Sequence, residues 1–347
     1  MLPSLYLTKT VRRDTLSHTR DTDYLSISTR IHAMENRMLT RERMERMIDA
    51  KEDSEVLKIL SECGYGSADG LQLNTVDEAL STAQAATFQD LRASVPDHRL
   101  LDVFQLKYDY HNAKTLVKAE GMGIRADHLL MSGGRYAPTL LADGYHKGEL
   151  RGLSESYCAA ITKAKETLAA SHDPQLADLV LDRAYFAEMT QLAKDSGSAF
   201  LQGYVRLCVD IANLRTAVRV ARMEKSSDFL SHVLIPGGSV SETQIARTRG
   251  EDLEGLFRTG ALAKAAELGS AVARPASGAL TAFERECDNA LTNYLSSARR
   301  IPFGEETVIG YLYAKEAELT TIRTILAGRK AGLDGSVIRE RLRESYV

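Results

Sequence analysis

Apolar positions recur every three or four residues along most of this chain, and strict alternation of apolar and polar positions is hard to find. That period belongs to amphipathic helices packed on a core. Three stretches carry it most fully. Tyr110, Ala113, Leu116 and Val117 fall on one stripe, as do Ile211, Leu214, Ala217 and Val218, and again Leu319, Ile322, Ile325 and Leu326. All are apolar or aromatic at i, i+3, i+6, i+7 spacing, so each helix has one face against a core.

The polar positions of the same stretches also repeat. An acid is followed by Asn or Thr three residues on and by a base two further: Asp109, Asn112, Lys114; Asp210, Asn213, Arg215; Glu318, Thr321, Arg323. From Asn112 to Asn213 is 101 residues, and from Asn213 to Thr321 is 108. At about 100° per residue the acid and its Asn or Thr border one edge of the apolar stripe. The base borders the other edge, roughly 140° from the acid. Acid and base therefore face different neighbours. Structurally, each would be paired across to another helix, because a half-buried charge left alone costs stability. Catalytically, Asp109, Asp210 and Glu318 would share a cleft and have shifted carboxylate pKa values. The preceding helix repeats more weakly. Val76–Asp77–Glu78, Leu181–Asp182–Arg183 and Phe283–Glu284–Arg285 share an apolar–acid start, their acids 105 and 102 residues apart. A repeat of this length is a domain, far longer than a solenoid unit. The expected organisation is all-α, with similar helical units over 23–140, 141–240 and 241–347 behind an extension over 1–22 that is polar and weakly patterned.

Punctuation refines the elements. From Tyr24 one long helical pattern runs through Ile31, Met34, Met38, Met44, Met47 and Ile48, the methionines filling core. Thr75–Val76–Asp77–Glu78 and Ser239–Val240–Ser241–Glu242 have capping-box spacing. Asp173–Pro174 reads as an N-cap followed by proline in the first turn. Ser132–Gly133–Gly134 and Pro236–Gly237–Gly238 are loops that echo each other 104 residues apart, and residues 273–278 form a looser stretch.

Composition narrows the function classes. Forty-four Lys and Arg against 47 Asp and Glu give a formal charge of −3, so no nucleic-acid surface is expected. Trp is absent and aromatics are 6% of the chain, which leaves few stacking platforms for bases. No apolar run approaches the length of a membrane span, so no direct membrane insertion is expected, and the start lacks signal-peptide order. Cys63, Cys158, Cys208 and Cys287 are widely spaced, which reads as reduced thiols in a cytoplasmic protein.

Catalytic and cofactor motifs are scarce. Gly121–Met122–Gly123–Ile124–Arg125–Ala126 fits a dinucleotide fingerprint, but that fingerprint needs a strand before it. Here a helix precedes it, so the glycines read as a helix C-cap. There is no P-loop, no HExxH or HxxxH and no GxSxG. His111 lies opposite the apolar stripe and reads as solvated. No catalytic residue, metal ligand or cofactor is expected.

Three segments carry a family resemblance: Ser28–Tyr65, Leu106–Ala119 and Tyr311–Val347, the last with KEAE, IRTILAGR, a Gly–Leu turn and a closing IRERL helix that ends in Tyr–Val. The chain resembles the C subunits of V-type (archaeal and bacterial) ATP synthases, relatives of the d subunit of eukaryotic vacuolar ATPases, from about residue 23 to the end. The resemblance implies three similar helical-bundle domains with pseudo-threefold symmetry, arranged as a funnel. It implies a non-catalytic central-stalk role between the D and F subunits of the rotor stalk and the proteolipid ring, on the cytoplasmic face of the membrane, during ATP-linked proton or sodium transport. Two alternatives stand beside it: a helical scaffold of another complex, and a helical enzyme using Asp109, Asp210 and Glu318.

Overall fold

A computed structural model describes residues 19–66, 70–275 and 278–346. Every regular element among them is helical: α1 (Leu25–Glu35), α2 (Arg41–Asp49), α3 (Asp53–Glu62), α4 (Val76–Arg92), α5 (Arg99–Gly121), α6 (Pro138–Lys147), α7 (Glu155–Ser171), α8 (Pro174–Ser196), α9 (Ala199–Arg222), α10 (Ser227–Val233), α11 (Glu242–Arg247), α12 (Glu254–Phe257), α13 (Ala263–Val272), α14 (Thr281–Ser296), α15 (Glu305–Lys330) and α16 (Gly335–Arg341), with short 3-10 turns between some of them. The three stretches singled out above lie in the long helices α5, α9 and α15.

α5 stays within one core along its length, whereas α9 and α15 each run from that core into another. Near their N-terminal ends the three meet in a shared hub. Phe104 of α5 stacks on Tyr204 of α9 with ring centroids 5.2 Å apart, and Tyr204 meets Tyr313 of α15 edge-on at 6.5 Å. Leu100, Leu101, Leu201, Val308 and Ile309 are fully buried around them, each contributing about 1.5–3 kcal/mol by leaving water. Towards their C-terminal ends the helices separate. The α5 stripe packs with Leu141, Tyr157, Ile161 and Leu181 of α6, α7 and α8. The α9 stripe packs with Ile245, Phe257, Ala265 and Phe283 of α11 to α14. The α15 stripe packs with Met47, Val56, Leu60 and Leu80 of α2, α3 and α4, near the other end of the chain. The eleven stripe residues up to Ile325 are buried, and Leu326 is partly buried.

Several local expectations change. The pattern from Tyr24 to Ile48 is two helices, because the chain turns at Asn36–Thr40 where Thr40 caps α2 through the backbone N–H of Arg43. Met38, Met44 and Met47 are buried core as read. Residues 1–18 of the expected extension lie outside the described residues, and Asp21–Tyr24 form a 3-10 turn that buries Tyr24. Thr75 precedes α4 but its hydroxyl donates back to Gln72, so no capping box forms there. At the second expected box the cap is Ser241, paired with Gln244, and Ser239 is used elsewhere. Asp173 caps α8 as read, accepting from Gln175. The expected boundary at residue 140 falls inside α6, which Pro138 opens. In the loose stretch, residues 276 and 277 lie outside the described residues.

Candidate functional site

The repeated acids are buried, and each holds a loop. Asp109 accepts from the backbone N–H of Arg135 at 3.0 Å and from its guanidinium at 2.7 Å. Asn112 of the same helix clasps Met131 from both sides, donating to its carbonyl at 2.9 Å and accepting from its N–H at 2.8 Å. One turn of loop is thereby fixed against α5 before the chain enters α6. α9 repeats the device. Asp210 accepts from the Ser239 N–H at 2.8 Å and the Ser239 hydroxyl at 2.5 Å, and Asn213 clasps Ile235 at 2.7 and 2.8 Å.

The Gly–Gly pairs make this approach possible. Gly133 and Gly237 have φ of +116° and +104°, in the region that favours glycine. Gly134 and Gly238 lie against the carboxylates, and a Cβ added at either would overlap Oδ1 of Asp109 or Asp210.

On α15 the same position holds a loop from the opposite end of the chain. Glu318 accepts from the Leu39 N–H at 2.8 Å, in the turn between α1 and α2, and from Lys315 Nζ at 2.7 Å. Lys315 also donates to the Tyr65 hydroxyl at 2.7 Å. Thr321 stands where the clasping Asn stands on α5 and α9, and its shorter side chain makes no such clasp among the described residues.

The repeated bases pair with the repeated acids of the preceding helix type. Lys114 meets Asp182 at 2.6 Å, Arg215 meets Glu284 at 2.6 Å, and Arg323 meets Asp77 at 2.7 Å. Both sequence repeats thus describe a single pattern of contacts between long helices and their neighbours.

Asp109, Asp210 and Glu318 do not converge. Each acid serves its own loop, and none lines the main surface grooves. Burial pushes the Asp109 carboxyl up to about 6 against the pull of Arg135. That shift follows from a sealed structural pair whose guanidinium also grips Glu188 at 2.8 Å. His111 is exposed as read, and partial desolvation against its helix, then Lys114 and Lys118, lower its pKa. Gly121 and Gly123 end α5 with no strand before them, so the dinucleotide reading falls. Among the described residues no group of three or more His, Cys, Asp or Glu is placed to hold a metal ion, and no helix is long and apolar enough to cross a membrane.

Sequence reasoning missed Arg135, Glu188 and Ser239. A signal existed for two of them: Arg135 and Ser239 each follow the Gly–Gly pair directly, where a donor must meet the buried acid. Glu188 gave none. Also missed was a charged cluster in the hub, where Lys107 pairs with Glu316 at 2.6 Å and the Tyr108 hydroxyl donates to Glu316 at 3.2 Å. Burial raises the Glu316 carboxyl, and it pushes the neighbouring Cys208 thiol up to about 12, which keeps that thiol protonated and unreactive.

Comparison with known proteins places the chain in a family. The family model described as ATP synthase (C/AC39) subunit matches residues 27–341. The C subunit of the V-type sodium ATPase of Enterococcus hirae is 25% identical, over 93% of this chain and 99% of that protein. The C subunit of the A-type ATP synthase of Haloquadratum walsbyi is 25% identical over 90% and 96%, and that of the V-type ATP synthase of Deinococcus radiodurans 24% over 92% and 91%. The chain belongs to the ATP synthase (C/AC39) subunit family and is a rotary ATPase subunit.

Proposed function

We propose that this chain is a non-catalytic central-stalk component that couples the D and F subunits of the rotor stalk to the proteolipid ring during ATP-linked proton or sodium transport. The observation that carries the reading is the family match across residues 27–341. The geometry supports it. A coupling part must transmit torque without yielding, and dense helical packing supplies low compressibility. The largest core holds the hub and the α6–α8 group, α9 and α15 tie it to two further cores, and the loops are fixed by hydrogen bonds from the long helices. In this reading the helical units expected over 23–140, 141–240 and 241–347 form a pseudo-threefold funnel. One end takes the stalk and the other rests on the ring at the cytoplasmic face, with no insertion of this chain into lipid and no nucleic-acid partner.

The enzyme alternative loses its basis, because Asp109, Asp210 and Glu318 are separately sealed by backbone and side-chain donors. The test is deletion of the chain from its native membranes, followed by ATP hydrolysis and ion pumping measured together. Hydrolysis that continues while pumping collapses is the expected result. Coupled pumping in its absence overturns the proposal. A mild-detergent pull-down of the tagged chain should bring stalk and ring components together.

A further inference from the structure

The contacts made by the three long helices run in a circle. The C-terminal half of α5 completes the core of α6–α8, and its Asp109 and Asn112 fix the loop that enters α6. The C-terminal half of α9 completes the core of α11–α14 and fixes the loop that enters α11. The C-terminal half of α15 completes the core of α2–α4, and its Glu318 holds the loop that enters α2. The ion pairs follow the same order: α5 to α8, α9 to α14, α15 to α4. Each group is thus closed by the long helix of the group before it, and the first group is closed by the last.

Two of these junctions are also crossed by the chain itself. The third is not, since α15 and α2 meet across 279 residues of sequence. It is also held differently. The Asn clasp present at the first two junctions is replaced by Thr321. Charged side chains remain: Arg329 donates to the carbonyls of Met47, Ile48 and Ala50 at 3.2, 3.3 and 2.7 Å, capping the end of α2, much as Arg222 of α9 donates to Val272 and Gly278 at the second junction, and Arg339 pairs with Glu45 and Asp49 at 2.7 Å each. Arg339, Asp49 and Asp77 are substantially exposed, so their pairs contribute little. A groove of about 780 Å³ runs along this seam, lined by Ile48, Val76, Leu80, Leu326 and Leu333. The groove beside the first junction, lined by Val117, Leu168 and Pro174, is about 540 Å³.

We propose that the seam between α15 and α2–α4 is a non-covalent clasp that closes the three groups into a ring, and that it is where the ring opens first. Local opening follows the lowest free-energy route. At the first two junctions opening must break the Asn clasp and stretch a tethered loop. At the seam both the tether and the Asn clasp are absent. The opened state carries α2–α4 away from the apolar face of α15 as a unit, while α6–α9 and the hub stay folded. This inference concerns the chain by itself and does not depend on the stalk assignment.

The test is native-state hydrogen exchange on the full chain, read by mass spectrometry. Amides of α2 and α3 should exchange together, about tenfold or more faster than those of α6 and α7. Equal or greater protection of α2 and α3 overturns the proposal, and this comparison needs no variant. Arg329→Met should then accelerate α2 and α3 by a further tenfold or so with α6 and α7 unchanged. Acceleration of equal size in both regions also overturns it.

Discussion

The loop that enters α6 and the turn that enters α2 are held by the same position of a long helix, but with different chemistry. At α6 the buried acid Asp109 meets a guanidinium brought by the loop, and Asn112 adds two bonds to Met131. At α2 the buried acid Glu318 meets an ammonium from its own helix, Lys315, and has a single loop N–H. The loop that enters α11 uses a third solution, a serine hydroxyl and backbone amides around Asp210. The requirement is common to all three: a buried carboxylate must be paired or fully hydrogen-bonded. The supply differs, so the three junctions should respond to mutation unequally.

Arg135 offers the largest contrast. Its guanidinium is shared between Asp109 and Glu188, and all three side chains are mostly buried. Arg135→Ala takes the guanidinium from two buried carboxylates, leaving Asp109 a backbone N–H and Glu188 the Tyr110 hydroxyl, and should cost about 3–5 kcal/mol, read by urea unfolding. Lys315→Ala should cost less, since Lys315 pairs with one buried carboxylate, Glu318, where Arg135 pairs with two. Equal costs would mean that the junctions are energetically alike despite their chemistry.

The Asn clasp gives the next largest. Asn213→Ala leaves the buried N–H and C=O of Ile235 without partners and should cost about 2 kcal/mol. Thr321→Ala removes no clasp and should stay within roughly 0.5 kcal/mol. Gly238→Ala tests the same junction as Asn213 sterically. Its new methyl group would collide with Asp210, and the overpacking should cost about 1–3 kcal/mol.

These contrasts also mark what the sequence could tell. The demand was legible: acid, Asn and apolar stripe recur at fixed spacing, and helix geometry puts them on one face. The clasp at Met131 and Ile235 was not legible, because a backbone group carries no side-chain signature. The Gly133–Gly134 and Gly237–Gly238 pairs were seen as echoing loops, yet their role needed the carboxylates they admit. The single helix expected from Tyr24 to Ile48 failed for a related reason. Periodicity continues across Asn36–Thr40, whereas Glu318, almost the whole chain away, takes the Leu39 N–H out of helical bonding. The family segments pointed to the chain's role through residues spread over many helices, while the site reading supplied no chemistry of its own.

Titration of Asp109 offers a test of the first junction. Its folded pKa of about 6 lies above the ordinary value of 3.8, so the folded chain holds more protons between those values. Stability from this group therefore falls as pH rises from about 4 to about 6. The Asp109→Asn variant lacks that titration. Wild type should lose stability relative to the variant as pH rises through the window, measured by paired urea titrations at several pH values. A parallel pair of curves would mean that Arg135 holds Asp109 ionised throughout.

The smallest effects come from the repeated bases, and their ranking follows exposure. Arg215 is 24% exposed and forms ion pairs with both Glu284 and Asp288, at 20% and 29%. Lys114 is 26% exposed but its partner Asp182 is at 41%. Arg323 is 35% exposed and faces Asp77 at 76%. A pair that keeps its water gains little from contact, because solvent screens the attraction and two long side chains lose freedom. Arg215→Ala should therefore cost about 1–2 kcal/mol, with Lys114→Ala below it and Arg323→Ala within roughly 0.5 kcal/mol. In about 1 M salt the cost should shrink for Arg323 and Lys114 and persist for Arg215. If Arg323→Ala proves the costliest of the three, the seam at α4 is held by its charges and the comparison between junctions reverses.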